Sequence, residues 1–335
     1  MPAPFAEAVG KGAMGSRKLS IDMLKGVLAL MVMAGHLAEV THQRHLILWV
    51  GSGFRMALMV GLSGYLLNMA RLRSETISVL LVRYGRRLFL PWAVVMLFYL
   101  MLSGYPIGPS LPVELLLRPP FHLWYIPALL LLIFSVRVIP WPVERLLLVG
   151  GIISLVVIFT YPIEHGLIGW GLFAIDSRLL RFAFHFALGM MVAQQVVTPR
   201  SWRGMALIVA TLTAMMSWAQ LYGEAESLRH VVARIAMNGG LICLIPVILA
   251  RMPIWTPICF IGRESLFFYL WHPLFIALAL HAPLSNWLLL PVAALAMMAI
   301  CIGLGGTGTT GALFGTARRR PVVVPESALA PVPTA

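Results

Sequence analysis

The sequence predicts an all-α, polytopic membrane protein with about ten transmembrane helices in one bundle. The first reason is composition, because 60% of the 335 residues are hydrophobic and only 11% are charged, unlike soluble domains. The second is a series of apolar runs long enough to cross a hydrocarbon layer of about 30 Å. The third is that basic residues concentrate in every second break between these runs, as expected for alternating cytoplasmic loops.

Ten apolar runs of about 17 to 22 residues are the candidate spans. They lie at residues 19–39, 50–70, 88–104, 122–140, 146–162, 179–197, 204–221, 233–250, 262–281 and 287–305.

The basic residues predict the orientation of these spans. With a cytoplasmic N-terminus, 18 of the 25 Lys and Arg residues fall in inner segments. The outer segments keep Arg44, Arg55, Arg118, Arg178, Arg181, Arg229 and Arg234. The positive-inside rule therefore predicts a multi-pass protein of the bacterial inner membrane with both termini in the cytoplasm. Because the net charge of +13 is scattered among the breaks, it does not indicate a nucleic-acid-binding face.

The ends of the chain differ from its centre. Residues 1–17 and 306–335 are rich in Pro, Gly and Ala, which predicts disordered cytoplasmic ends around a transmembrane domain at 18–305. The three cysteines contain no CxxC pair and no metal-ligand spacing, so neither a disulfide framework nor a metal site is expected.

A polar stripe interrupts the first span. Lys25 and His36 are eleven residues apart, about 20° more than three helical turns, so they share a face roughly 16 Å apart along the axis. Asp22 and Glu39 fall near the same face. Because charged groups inside a span usually face a protein interior and act there, we interpret His36 as a general base oriented by Glu39. Lys25 is a further catalytic candidate and, near the cytoplasmic mouth, a candidate for binding the donor.

The sequence favours direct attack by a hydroxyl over a covalent enzyme intermediate. Tyr65 stands where a nucleophile elbow around Ser63 would need glycine. A hydroxyl that attacks an ester or thioester needs one base with a pKa near neutrality, which histidine supplies.

Arg83, Arg86 and Arg87 form the densest basic cluster, at a cytoplasmic helix entrance. Such arginines commonly anchor a helix to lipid headgroups. A guanidinium fork also suits phosphate, so Arg83 and Arg86, which share a helix face, are candidates for binding a phosphate-bearing donor.

Other polar and aromatic residues are open to two interpretations each. The fourth span begins from the outer side with His122, Trp124 and Tyr125. These residues are either part of an interfacial aromatic belt or contacts to a saccharide acceptor. His272 lies about ten residues into the ninth span and is either a structural histidine or part of the site.

Five stretches together resemble the acyltransferase 3 family of integral membrane O-acyltransferases, especially the branch named for fucose 4-O-acetylase. In chain order they are IDMLKGVLALMVMAGH, FRMALMVGLSGYLL, RYGRRLFLPW, HLWYIPALL and IGRESLFFYLWHPLF. The resemblance implies a ten-helix bundle that transfers an acyl group, usually acetyl, from cytoplasmic acyl-CoA to a hydroxyl of an envelope or secreted saccharide. It implies that Lys25 and His36 are the basic residue and histidine of the family motif, and that Arg83 and Arg86 are its paired arginines.

Two other functions are compatible with the sequence. A transporter of glycans or lipid-linked intermediates would also bury charge among about ten helices, and it would consume no acyl-CoA. A non-catalytic subunit of a polysaccharide export machine would leave glycan acylation intact when deleted.

Overall fold

The computed structural model describes residues 4–43, 45–104, 108–120, 122–161, 166–194, 201–225, 227–304 and 308–316. Its helices are α1 (Pro4–Val40), α2 (Leu46–Tyr65), α3 (Met69–Ser74), α4 (Ile77–Tyr84), α5 (Leu90–Ser103), α6 (Leu111–Leu117), α7 (Tyr125–Val138), α8 (Val143–Thr160), α9 (Arg178–Arg181), α10 (Ala183–Ala193), α11 (Trp202–Gln220), α12 (Leu228–Cys243), α13 (Ile245–Arg251), α14 (Thr256–Arg263), α15 (Ser265–Leu280), α16 (Asn286–Leu304) and α17 (Gly308–Phe314). A two-stranded antiparallel hairpin, β1 (Leu167–Ile168) and β2 (Ile175–Asp176), connects α8 to α9. The predicted all-α class is confirmed.

Several helices are long and apolar enough to cross a membrane. Among the described residues there are five, or six when the bent pair α12 and α13 is taken as one span. The five are Lys18–Val40, Leu46–Tyr65, Ile77–Ser103, Val143–Thr160 and Asn286–Leu304. Each of the ten predicted windows overlaps at least one helix. The chain is therefore a multi-pass membrane protein, and the number ten stays a prediction.

Some predicted spans are interrupted helices. Residues Gly85–Phe89 form a π-helical turn between α4 and α5, directly before Pro91, whose nitrogen cannot donate to the carbonyl four residues earlier. The axes of α12 and α13 differ by 54° at a break that precedes Pro246.

Helix extends into both predicted ends. α1 begins at Pro4, inside the segment 1–17 that was expected to be disordered, and α17 lies inside 306–335. Residues 317–335 lie outside the described residues.

Glycines allow the helices that carry the site to cross closely. A Cβ atom on Gly262 of α14 would lie 1.6 Å from the backbone oxygen of Asp22 on α1, and one on Gly26 would lie 2.1 Å from that of Ile258. Glycine occupies the crossing of α2 and α10 as well, where a Cβ on Gly189 would lie 2.0 Å from the oxygen of Gly61. Small residues at such crossings let backbones approach within a membrane, so α1 is held closely against α14.

Candidate active site

Three histidines from distant parts of the chain meet in the bundle. His36 comes from α1, His122 precedes α7, and His272 lies in the middle of α15. The centroid of the His36 ring lies 5.0 Å from that of His272 and 5.9 Å from that of His122. The centroids of His122 and His272 are 4.9 Å apart. No group of three or more histidine, cysteine or acidic side chains in the described part of the chain could hold a metal ion.

The Glu39 carboxylate fixes the tautomer of His36. The Nδ1 atom of His36 lies 2.9 Å from Oε2 of Glu39, one turn further along α1. In a neutral ring this contact assigns the proton to Nδ1 and leaves the lone pair on Nε2. His36 therefore has the arrangement of a base whose far nitrogen is oriented by a carboxylate.

His272 is fully buried, and its ring orientation is also fixed. Its Nδ1 atom lies 3.0 Å from the carbonyl oxygen of Phe268 and 2.9 Å from that of Tyr269, so Nδ1 donates and Nε2 is an acceptor. That Nε2 atom is buried and has no hydrogen-bond partner among the described residues. An orphaned buried acceptor normally costs free energy, so its place beside His36 supports a role in the site over a purely structural one.

A cavity of about 270 Å³ opens beside this cluster. His36 and His122 supply its polar lining, and Pro273 of α15 lies at its wall. The other lining residues are aliphatic: Val40, Ile276, Ala277 and Leu280. A reacting hydroxyl in this cavity would meet His36 in largely apolar surroundings, where electrostatic interactions are stronger than in water.

The segment from His122 to Tyr125 is buried within the protein, whereas the side chains of an aromatic belt face the lipid headgroups. His122, Trp124 and Tyr125 are each only 8% exposed. The Trp124 ring stacks on Phe182, with centroids 5.3 Å apart, and the Tyr125 hydroxyl lies 2.9 Å from the hydroxyl of Ser63. His122 alone of these three lines the cavity beside His36.

A hydrogen-bonded chain supports His122 from behind. The Tyr269 hydroxyl donates to the carbonyl oxygen of His122 and accepts the backbone N–H of Tyr125 at 3.2 Å. The Nε2 atom of His122 lies 3.4 Å from the carbonyl oxygen of Leu270. α15 thus positions both His122 and His272.

Lys25 lies near the middle of α1, eleven residues before His36. The charges of Asp22, Arg87 and Glu264 act on it, and Glu264 is only 5% exposed. The charged groups that act on Lys25 are therefore Arg87 and two carboxylates, and His36 is not among them.

The two candidate phosphate ligands have different surroundings. Both terminal nitrogens of Arg83 donate to the carboxylate of Glu75, which also accepts from Nε of Arg71 at 2.9 Å. These hydrogen bonds, first that of Arg83 and then that of Arg71, hold the pKa of Glu75 below its ordinary value. Arg86 is exposed and has no ion-pair partner among the described residues.

Arg55, predicted from the sequence only as a charge of an outer segment, is instead part of the site. Arg55 lies within α2, is 8% exposed and contacts Glu39, with Nη2 and Oε1 3.2 Å apart. The signal that could have revealed it is an arginine inside an apolar run, which predicts a buried partner.

Fold and site together define a multi-pass membrane protein with a carboxylate-oriented histidine beside a cavity. The family model of an acyltransferase domain, acyltransferase 3, matches residues 18–306, and the chain belongs to this family. No curated protein and no solved structure matches it. The resemblance to acyltransferase 3 is confirmed, and membership of the fucose 4-O-acetylase branch stays a prediction.

Proposed function

We propose that this membrane acyltransferase transfers an acyl group, acetyl in the simplest case, from cytoplasmic acyl-CoA to a hydroxyl of an envelope or secreted saccharide. The observation that carries the proposal is the contact of 2.9 Å between His36 Nδ1 and Glu39 Oε2 beside the cavity. In the neutral tautomer that donates from Nδ1 to Glu39, Nε2 is free to accept a proton.

The reaction proceeds by one displacement. His36 Nε2 takes the proton of the acceptor hydroxyl while the oxygen attacks the thioester carbonyl carbon. The C–O bond forms, the C–S bond breaks, and the imidazolium gives its proton to the departing CoA thiolate. Glu39 stabilises the imidazolium that exists between these two proton transfers.

The acyl-CoA donor enters from the proposed cytoplasmic side, at the cluster of Arg83, Arg86 and Arg87. Arg86 is exposed, and its guanidinium group suits a phosphate of CoA. Arg83 positions the α3–α4 connection through Glu75 and adds positive charge, and Lys25 contributes at the same level. The pantetheine arm then runs along α1 toward His36, over roughly 16 Å.

The acceptor enters from the opposite side. His122 lines the cavity and is a candidate saccharide ligand, and the buried acceptor nitrogen of His272 is a candidate for a hydroxyl hydrogen bond. Trp124 and Tyr125 support this wall from behind. By the distribution of basic residues, the protein lies in the bacterial inner membrane with both termini cytoplasmic.

Replacing His36 tests the proposed base. His36→Ala should lower acyl transfer by about 10² to 10⁴ fold, the usual contribution of a general base, while the protein still inserts. CoA release from acyl-CoA in membranes and the acyl content of glycans, by mass spectrometry, are the measurements.

His45→Ala is the matched control, because His45 is exposed at the start of α2 and should keep parent activity. Near-parent acylation by a well-inserted His36→Ala variant would exclude His36 as the base. A parent protein that never consumes acyl-CoA would instead exclude the enzymatic function.

A further inference from the structure

Arg55 on α2 reaches the carboxylate that orients His36 on α1. Its Nη2 atom donates to Oε1 of Glu39 at 3.2 Å, and its Nη1 atom donates to the carbonyl oxygen of Met31 at 3.4 Å. The other carboxylate oxygen of Glu39, Oε2, is the one that contacts His36. Glu39 therefore bridges a buried guanidinium group and the proposed base with one oxygen for each.

Gly35 makes room for this guanidinium group. A Cβ atom at Gly35 would lie 1.3 Å from Nη1, 2.3 Å from Cζ and 2.8 Å from Nη2 of Arg55. These distances place the group directly against the backbone of α1, one residue before His36. Any larger residue at position 35 would displace Arg55 from Glu39.

The carboxylate needs such a support. The Glu39 side chain is 59% exposed, whereas that of Arg55 is only 10% exposed. A glutamate that is mostly exposed has several rotamers available. A fixed guanidinium partner selects one of these rotamers while the carboxylate stays largely exposed.

We propose that Arg55 is a positioning residue for acyl transfer, which holds Glu39 so that His36 keeps Nδ1 protonated and Nε2 available, and that Gly35 is the residue that admits it. This inference rests on the proposed function. Arg55 touches neither substrate, and its effect passes through Glu39. The rings of His122 and His272 also lie beside His36, with centroids 5.9 and 5.0 Å from its own.

A double-mutant cycle tests the inference. Arg55→Ala should lower kcat by about 10- to 100-fold, as for other partners that orient a functional histidine, with little change in the KM for acyl-CoA. Glu39→Gln should lower kcat at least as much. The double variant should be no slower than Glu39→Gln alone, because groups that act as a unit are not additive.

Two further variants separate positioning from folding. Gly35→Ala should reproduce the loss in kcat although Arg55 is intact, whereas Gly239→Ala should keep parent activity, because its nearest neighbour is 4.0 Å away. Added methylguanidinium should restore part of the kcat of Arg55→Ala.

The outcomes distinguish this inference from the proposed function. If the parent is active and the losses in kcat of Arg55→Ala and Glu39→Gln multiply in the double variant, the inference is overturned. The proposed enzymatic function would still stand. An Arg55→Ala variant with parent kcat would overturn the inference in the same way. A parent that releases no CoA, or a His36→Ala variant that stays active, would overturn the proposed function and the inference with it.

Discussion

At the scale of residues, Arg83 and Arg86 differ in what their guanidinium groups already contact. Both terminal nitrogens of Arg83 donate to Glu75, and its lowered pKa means that the pair stays ionised to a lower pH than an unpaired glutamate would. Arg86 is exposed and available to a phosphate. The two arginines of the cluster are therefore not equivalent.

Arg86→Ala should weaken binding of acyl-CoA about 10-fold or more, because a hydrogen bond to a charged group contributes about 1.5 to 3 kcal/mol. Arg86→Lys should restore this affinity only in part, because it lacks the planar fork. Titration of the purified protein with acyl-CoA by calorimetry measures both. Parent affinity in Arg86→Ala would show that the residue only anchors the helix.

Some of the site follows from local spacing, and some does not. The shared helix face of His36 and Glu39 is set by 3.6 residues per turn, so their contact was predictable. The approach of Arg55 depends on how α2 crosses α1 at Gly35, and the meeting of His122 and His272 depends on how α15 packs. Sequence spacing carries no information on such crossings.

At the scale of elements, the crossing of α1 and α14 depends on glycine. The Cβ of an alanine at 262 would overlap the backbone of Asp22, which cannot move aside like a side chain. At Gly303 of α16, by contrast, nothing lies within 4 Å of that position. The same substitution should therefore have opposite effects at the two sites.

Gly262→Ala should destabilise the protein by roughly 1 to 3 kcal/mol or more, the usual cost of overpacking. Gly303→Ala should be neutral or stabilising, since alanine favours a helix by about 1 kcal/mol over glycine. Thermal unfolding in detergent, followed by fluorescence-detected gel filtration, measures the difference. Equal melting temperatures for the two variants would contradict the close crossing.

The apolar runs predicted where helices occur but not where they break. The window 262–281 begins in the last two residues of α14 and continues through α15, with a break at Glu264. The window 233–250 lies on the pair α12 and α13, which is bent by 54°. Proline explains the π-helical turn before Pro91 and marks the bend before Pro246. The break at Glu264 carries no proline signal and accompanies the close packing of α14 on α1.

At the scale of the whole molecule, Lys25 and His36 lie at different levels of α1 and have different neighbours. Lys25 lies within the influence of Arg87, whereas His36 contacts His122 and His272. Their separation of roughly 16 Å is about half of a hydrocarbon layer of about 30 Å. A donor from one surface and an acceptor from the other could thus meet at His36 without CoA crossing the membrane.

We therefore expect sealed vesicles to require acyl-CoA on the cytoplasmic face and to acylate glycan on the opposite face. Inverted vesicles should use externally added acyl-CoA, and right-side-out vesicles should not, because CoA phosphates do not cross a bilayer unaided. Release of labelled CoA and the label on glycan are measured for both orientations, and His36→Ala vesicles provide the background.

Permeabilised right-side-out vesicles are the control for this experiment. Permeabilisation gives acyl-CoA access to the cytoplasmic face, so these vesicles should become active. If sealed right-side-out vesicles acylate glycan from external acyl-CoA alone, the donor does not enter at Arg86. That result would leave the chemistry of His36 intact and reverse the direction in which the two substrates approach it, since a base on one helix face can serve a donor from either end of α1.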